Sequence, residues 1–215
     1  GFAWVDARTP GSVSVAGLET DLWSRLTLRG LVVEAVDGSP VVAAERVEVD
    51  FDAWALAGGR VDVSTARVHG LDLHLVVDRD GRVNLLEALG VTPDRVREVP
   101  LPVAVRDLQV DGRARLDLGG FVIPVEDLEL SARLTMQRDL GLETLRLRAM
   151  TPLLREGVEV GGALGWNGTD LTVERLAARS GASHLALGGR VDETFGAGDL
   201  DLQATELHVD VGSVP

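Results

Sequence analysis

The sequence predicts an all-β protein, a long antiparallel meander of short strands that share one aliphatic face. Three observations lead there. Apolar and polar residues alternate with period two almost from end to end. Tight-turn dipeptides recur at short intervals. Helical periodicity is confined to one short stretch near residues 83–90.

In chain order, Val47, Val49 and Phe51 alternate with Glu48, Asp50 and Asp52, and Val61 and Val63 alternate with Arg60 and Asp62. Leu71, Leu73, Leu75 and Val77 follow, then Val103 and Val105, then Ala114, Leu116 and Leu118. The pattern returns at Leu128, Leu130 and Leu134, at Leu145 and Leu147, at Val158 and Val160, and at Leu171 and Val173. Leu185 and Leu187, Leu200 and Leu202, and Leu207, Val209 and Val211 close it. Side chains alternate across a strand, so each segment has one oily and one charged face, as in antiparallel strands wetted on one side.

Asp37-Gly38, Asp80-Gly81, Asp111-Gly112 and Asn167-Gly168 are hairpin-favouring dipeptides. Gly58-Gly59, Gly119-Gly120, Gly161-Gly162 and Gly188-Gly189 suit turns or bulges. Phase slips near Gly30, Gly70 and Asp107 read as bulges that add twist. Val83, Leu86 and Leu89 have helical spacing with Gly90 as a cap, and Asp52–Ala57 suits one helical turn. Pro93 to Pro102 reads as a linker, dividing the chain into segments 1–99 and 100–215 of one continuing sheet.

Composition narrows the function. Of 215 residues 45% are apolar, but there are only four Phe, four Trp and no Tyr, so the interior must be built from branched aliphatics. The formal charge of −13 disfavours binding to nucleic acid or anionic surfaces. No cysteine is present, which excludes disulfides and thiolate metal sites. No stretch approaches the roughly 18 apolar residues of a membrane span. The abrupt start at Gly1-Phe2-Ala3-Trp4 suggests a piece of a longer protein.

Enzymatic readings find little support, and we expect no catalytic residues, no metal and no cofactor. His69, His74, His184 and His208 are scattered, and the adjacent Ser183 and His184 point to opposite faces of a strand. Asp78-Arg79-Asp80-Gly81 lacks the later ligands of a calcium loop and reads as a turn.

A sheet with one apolar face must bury it against a second sheet, against helices, or around an apolar ligand in an open curl. From the pattern alone a closed sandwich, serving as a structural spacer that binds no lipid, and an open groove both stand. The groove walls would be Val47, Val49, Phe51, Val61, Val63, Leu71, Leu73 and Leu75, with Val103, Val105, Leu116, Leu118, Leu185 and Leu187 in the second half.

Leu26-Thr27-Leu28-Arg29-Gly30-Leu31, the run Asp37 to Val47, Asp52 to Val61, and Val68 to Leu73 resemble the N-terminal region of AsmA/TamB-like proteins. Asp78-Arg79-Asp80-Gly81-Arg82-Val83-Asn84-Leu85-Leu86 is similar to that family's turn and short helix, and Leu101 to Leu108 to the strand that restarts the sheet. The resemblance spans about residues 11 to 211. It implies a long sheet curled into an open hydrophobic groove that carries phospholipid toward the outer membrane. It also implies a periplasmic location in a Gram-negative bacterium, with anchoring in the inner membrane through a segment this chain lacks. An Omp85-type outer-membrane barrel is a further implied partner, through a scaffold role in outer-membrane protein assembly that would use strand edges. A dozen strands at about 4.8 Å spacing would give roughly 60 Å of groove.

Overall fold

The computed structural model describes residues 10–78, 82–89, 102–137, 139–154, 156–167, 170–191 and 200–208. Eleven strands form one sheet in strict chain order, β1 to β11. They are β1 (Ser12–Thr20), β2 (Arg25–Glu34), β3 (Pro40–Phe51), β4 (Val61–Val77), β5 (Val103–Leu118), β6 (Phe121–Met136), β7 (Leu140–Met150), β8 (Val158–Trp166), β9 (Leu171–Ser180), β10 (Ser183–Val191) and β11 (Leu200–His208). Helix α1 (Ala53–Ala57) joins β3 to β4, and helix α2 (Asn84–Leu89) follows β4. The sheet does not close on itself: among the described residues β1 and β11 are its edges.

One pairing departs from the expected antiparallel meander. Strands β4 and β5 run parallel, from Val61↔Val103 to Val77↔Leu118. Parallel neighbours need a crossover rather than a hairpin. The chain between them spans residues 78–102, of which 78, 82–89 with α2, and 102 are described. Most of the Pro93–Pro102 linker, the Gly90 cap and the Asp80-Gly81 turn lie outside the described residues, as do Gly168 and Val209 to Val211.

Local chemistry accounts for the turns that are described. Asp37 accepts from the Ser39 amide and hydroxyl around the left-handed Gly38. Gly119-Gly120 turns β5 into β6 with both residues at positive φ. Asp111-Gly112 makes no hairpin. It lies inside β5, where the register shifts by one residue between Gly112 and Ala114. The strand tolerates only glycine at 112, because a Cβ there would sit 2.1 Å from the Leu71 carbonyl oxygen. Gly161-Gly162 and Gly188-Gly189 are likewise bulges, in β8 and β10.

The bulges form a system. Register shifts or left-handed residues occur at Gly70, Asp107, Asp127, Thr144, Gly162 and Arg175, on six of the strands β4 to β9. Each bulge bends its strand and steepens the local twist, so their succession curls the sheet. The curl leaves the apolar face inside. Leu128, Ala132, Leu145, Ala149 and Val173 are 6–9% exposed although, among the described residues, no second layer covers them. Arginines on the other face, such as Arg113 and Arg148, are 71% and 69% exposed at the side chain.

Among the described residues all eleven strands belong to one sheet and none forms a second layer against the apolar face, so this is an open, curled sheet.

Candidate functional site: the apolar inner face

Cross-strand register assembles the inner face. Directly paired residues share a face, so a chain of pairs traces a row. One row crosses every strand: Leu18, Leu28, Val47, Val68, Val110, Leu130, Leu147, Val160, Ala178 and Leu185, reaching the position of Leu207 on β11. A second runs Phe51, Val63, Val105, Leu134, Leu142, Leu164 and Val173 to Gly189. Strand β6 ties the rows together, because Leu128, Leu130, Ala132, Leu134 and Met136 alternate without interruption along it.

The fourteen residues expected as walls all fall on this face. Val47 lies in the first row, and Val49 pairs with Leu26 and Ala66 beside it. Phe51, Val63 and Val105 lie in the second row, and Val61 pairs with Val103 beyond it. Leu71 opposes Gly112, which opposes Leu128; Leu73, Leu75, Leu116 and Leu118 continue toward the other end. Leu185 and Leu187 oppose Ala178 and Leu176. Twelve of the fourteen are half-buried. Val63 is buried at 6%, and Leu118, at the sheet's corner, is 48% exposed. The row partners Val68 and Val110 escaped the sequence reading because Gly70 and the slip at Asp107 break the alternation beside them.

Gly70 shows how the face survives such a slip. At φ +63 it lets Val68 and Leu71, three residues apart, point the same way, opposite Val110 and Gly112, two apart. Its amide donates to Asp111, whose carboxylate also meets His69 Nδ1 at 2.7 Å. These contacts, the Gly70 amide foremost, hold the Asp111 carboxyl below its ordinary pKa.

Helix α2 closes one end of the face. Leu85 and Ala88 pack with Val13, Val33, Val41 and Val42, and Ala88 and Val41 are each 1% exposed. Asn84 fastens the helix to β4, its Oδ1 accepting from the Val76 amide at 2.9 Å and its Nδ2 donating to the His74 carbonyl at 2.8 Å. The side chain thus stands in for a neighbouring strand at the end of β4. At the opposite end Asp52 caps α1 by accepting from the Trp54 amide.

The outer face is charged and wet. Arg25–Asp50, Arg106–Asp62, Arg113–Asp72 and Arg148–Glu159 pair across neighbouring strands. Such solvent-exposed pairs add little to stability and serve solubility and register instead. A shallow concavity of about 450 Å³ beside Asp72, His74, Arg113 and Arg115 lies on this charged face, outside the apolar one. Far from that concavity, on β10 and β11, His184 and His208 stack at 5.4 Å between ring centroids. Among the described residues no three His, Cys, Asp or Glu side chains converge as metal ligands. None of their helices is long and apolar enough to cross a membrane.

No family model and no curated protein matches this chain.

Proposed function

We propose that the inner face holds phospholipid acyl chains, as a segment of a periplasmic, inner-membrane-anchored protein that passes lipid toward the outer membrane. The observation that carries this reading is the unbroken apolar row across the whole sheet, with no second layer over its middle among the described residues. Ten strand spacings of about 4.8 Å make that row roughly 48 Å long. Monomeric proteins seldom leave a contiguous apolar surface of such extent uncovered unless it binds something.

The chemistry of the wall suits transfer. Each methylene moved out of water is worth roughly 0.8 kcal/mol, and Val and Leu side chains repeat with little variation along the row. An acyl chain therefore gains much from entering and little from any one position, which allows sliding without a deep trap. The charged outer face stays in water, and a head group would remain at the open mouth. The periplasmic location and the anchor rest on the resemblance to AsmA/TamB-like proteins. The test is native mass spectrometry of the purified chain with organic extraction. Stoichiometric phospholipid supports the reading, and a lipid-free, thermally stable protein that takes up none when offered it rejects the reading.

A second reading has its own observation. Strand β1 is a nine-residue edge with Val15 and Leu18 37% and 50% exposed, a template on which a partner strand could add. This would serve a scaffold for outer-membrane protein assembly with an Omp85-type barrel. Proline substitutions in β1 should then impair assembly and spare lipid binding.

A further inference from the structure

At one end of the inner face, two neighbouring connections carry large apolar side chains into solvent. Leu22 and Trp23 in the β1–β2 turn are 74% and 71% exposed, and Trp54 and Leu56 of α1 are 82% and 49% exposed. The Phe51 amide donates to the Ser24 carbonyl at 2.7 Å, and Arg25 opposes Asp50, so the connections lie side by side. We propose that they form a tip that docks on the surface of an electrically neutral phospholipid bilayer and sets the mouth of the groove against it. The proposal builds on the lipid-groove reading and names the surface the groove would meet.

Three features favour a bilayer over a protein partner. Many backbone amides of both connections are already bonded internally, which lowers the cost of taking them out of water. Asp21 Oδ1 accepts from the amides of Trp23, Ser24 and Arg25, and Asp21 Oδ2 from the Ser24 hydroxyl. Asp52 accepts from Trp54, and the Leu56, Gly58 and Gly59 amides bond within the α1 segment. Second, Trp and Leu are the residues that partition into the interfacial zone, where an indole keeps its N–H near water. Two Trp at no more than about 250 Å² each, with two Leu, fall short of the roughly 800 Å² per side of a stable protein interface.

Third, the local charge selects the lipid. Arg25 pairs with Asp50 and Arg29 with Glu19, while Asp21 and Asp52 are engaged by backbone amides. Arg60 follows α1, but among the described residues no cluster of basic side chains is present at the tip to draw an anionic surface, so attachment would come from apolar insertion and be indifferent to salt.

The full chain is floated with phosphatidylcholine vesicles, alongside vesicles enriched in phosphatidylglycerol, at low and high salt. The proposal expects salt-independent binding to phosphatidylcholine that falls by about tenfold or more in Trp23→Ser/Trp54→Ser. Thermal melting of that variant should match wild type, because both residues project into water. Failure of the wild type to float, equal flotation of the double variant, or binding only to anionic vesicles at low salt would each overturn it. Native mass spectrometry of the same variant separates this outcome from the groove reading. Lost flotation with groove lipid retained supports the tip, and flotation without groove lipid leaves the tip standing while the groove reading fails.

Discussion

Charging the inner face separates an open groove from a closed core. Val47 and Leu130 are half-buried members of the row that crosses the sheet, on β3 and β6. Three strand spacings put them about 14 Å apart, beyond the roughly 8 Å screening length of physiological salt, so two aspartates there would not repel each other strongly. Replacing both with Asp forfeits about half the burial of each side chain, or roughly 2–3 kcal/mol together. A domain with 5–15 kcal/mol of stability survives that loss. The effect on a bound acyl chain is larger. Each carboxylate denies contact to about three methylenes, so the pair costs about 5 kcal/mol of binding, more than a hundredfold in affinity. Val63, at 6% exposure, gives the contrast: its replacement by Asp buries a charge without a partner and costs more than about 4 kcal/mol. Thermal melting by circular dichroism reads stability, and native mass spectrometry reads bound lipid. Val47→Asp/Leu130→Asp should stay folded and lipid-free, whereas Val63→Asp should melt well below both the wild type and the double variant. If the double variant unfolds as readily as Val63→Asp, the face is a covered core and the reasoning fails; if it keeps its lipid, the row is not the binding surface.

Three further outcomes follow from the geometry. Gly112→Ala should lower stability by about 1–3 kcal/mol in chemical denaturation, because its Cβ would meet the Leu71 backbone. Asn84→Ala removes both bonds that fasten α2 to β4 and should cost about 1–3 kcal/mol, seen as faster hydrogen exchange at Val76 and along α2 while β7 to β9 stay protected. Asp111 is held below the ordinary aspartate pKa of 3.8 in the folded state, so its contribution is present above 3.8 and is lost as pH falls through the lower folded value. Asp111→Asn should therefore be less stable than wild type at neutral pH, and the difference should shrink on acidification, as followed by acid unfolding.

The sequence displayed the fold where alternation was clean and hid it where the strands bend. The β2–β3 hairpin at Asp37-Gly38, the short helix near Asn84, and the inward set from Val47 to Leu75 were legible, because period-two patterning and turn chemistry act locally. Asp111-Gly112 misled, since the same dipeptide serves a turn or a bulge, and only the approach of the Leu71 backbone decides between them. The parallel pairing of β4 with β5 was hidden for a different reason: strand direction depends on the crossover between them, which leaves no mark on either strand. A signal for the curl was present and unread. At Glu45-Arg46, Glu126-Asp127, Glu143-Thr144 and Glu174-Arg175 two exposed residues stand side by side within a strand, and three of the four pairs contain a left-handed residue. A polar doublet inside an alternating segment marks the place where the strand must bulge to return its next apolar residue to the inner face.

The most direct test of the lipid-bearing inner face is a phospholipid with a photoreactive group in its acyl chain, bound to the wild-type chain, irradiated and mapped by peptide mass spectrometry. The account predicts adducts on inner-face residues on both sides of the β4–β5 junction, such as Val47, Val68, Val110, Leu130 and Val160, and few on the charged face. Adducts confined to the charged face, or none under saturating lipid, would contradict it.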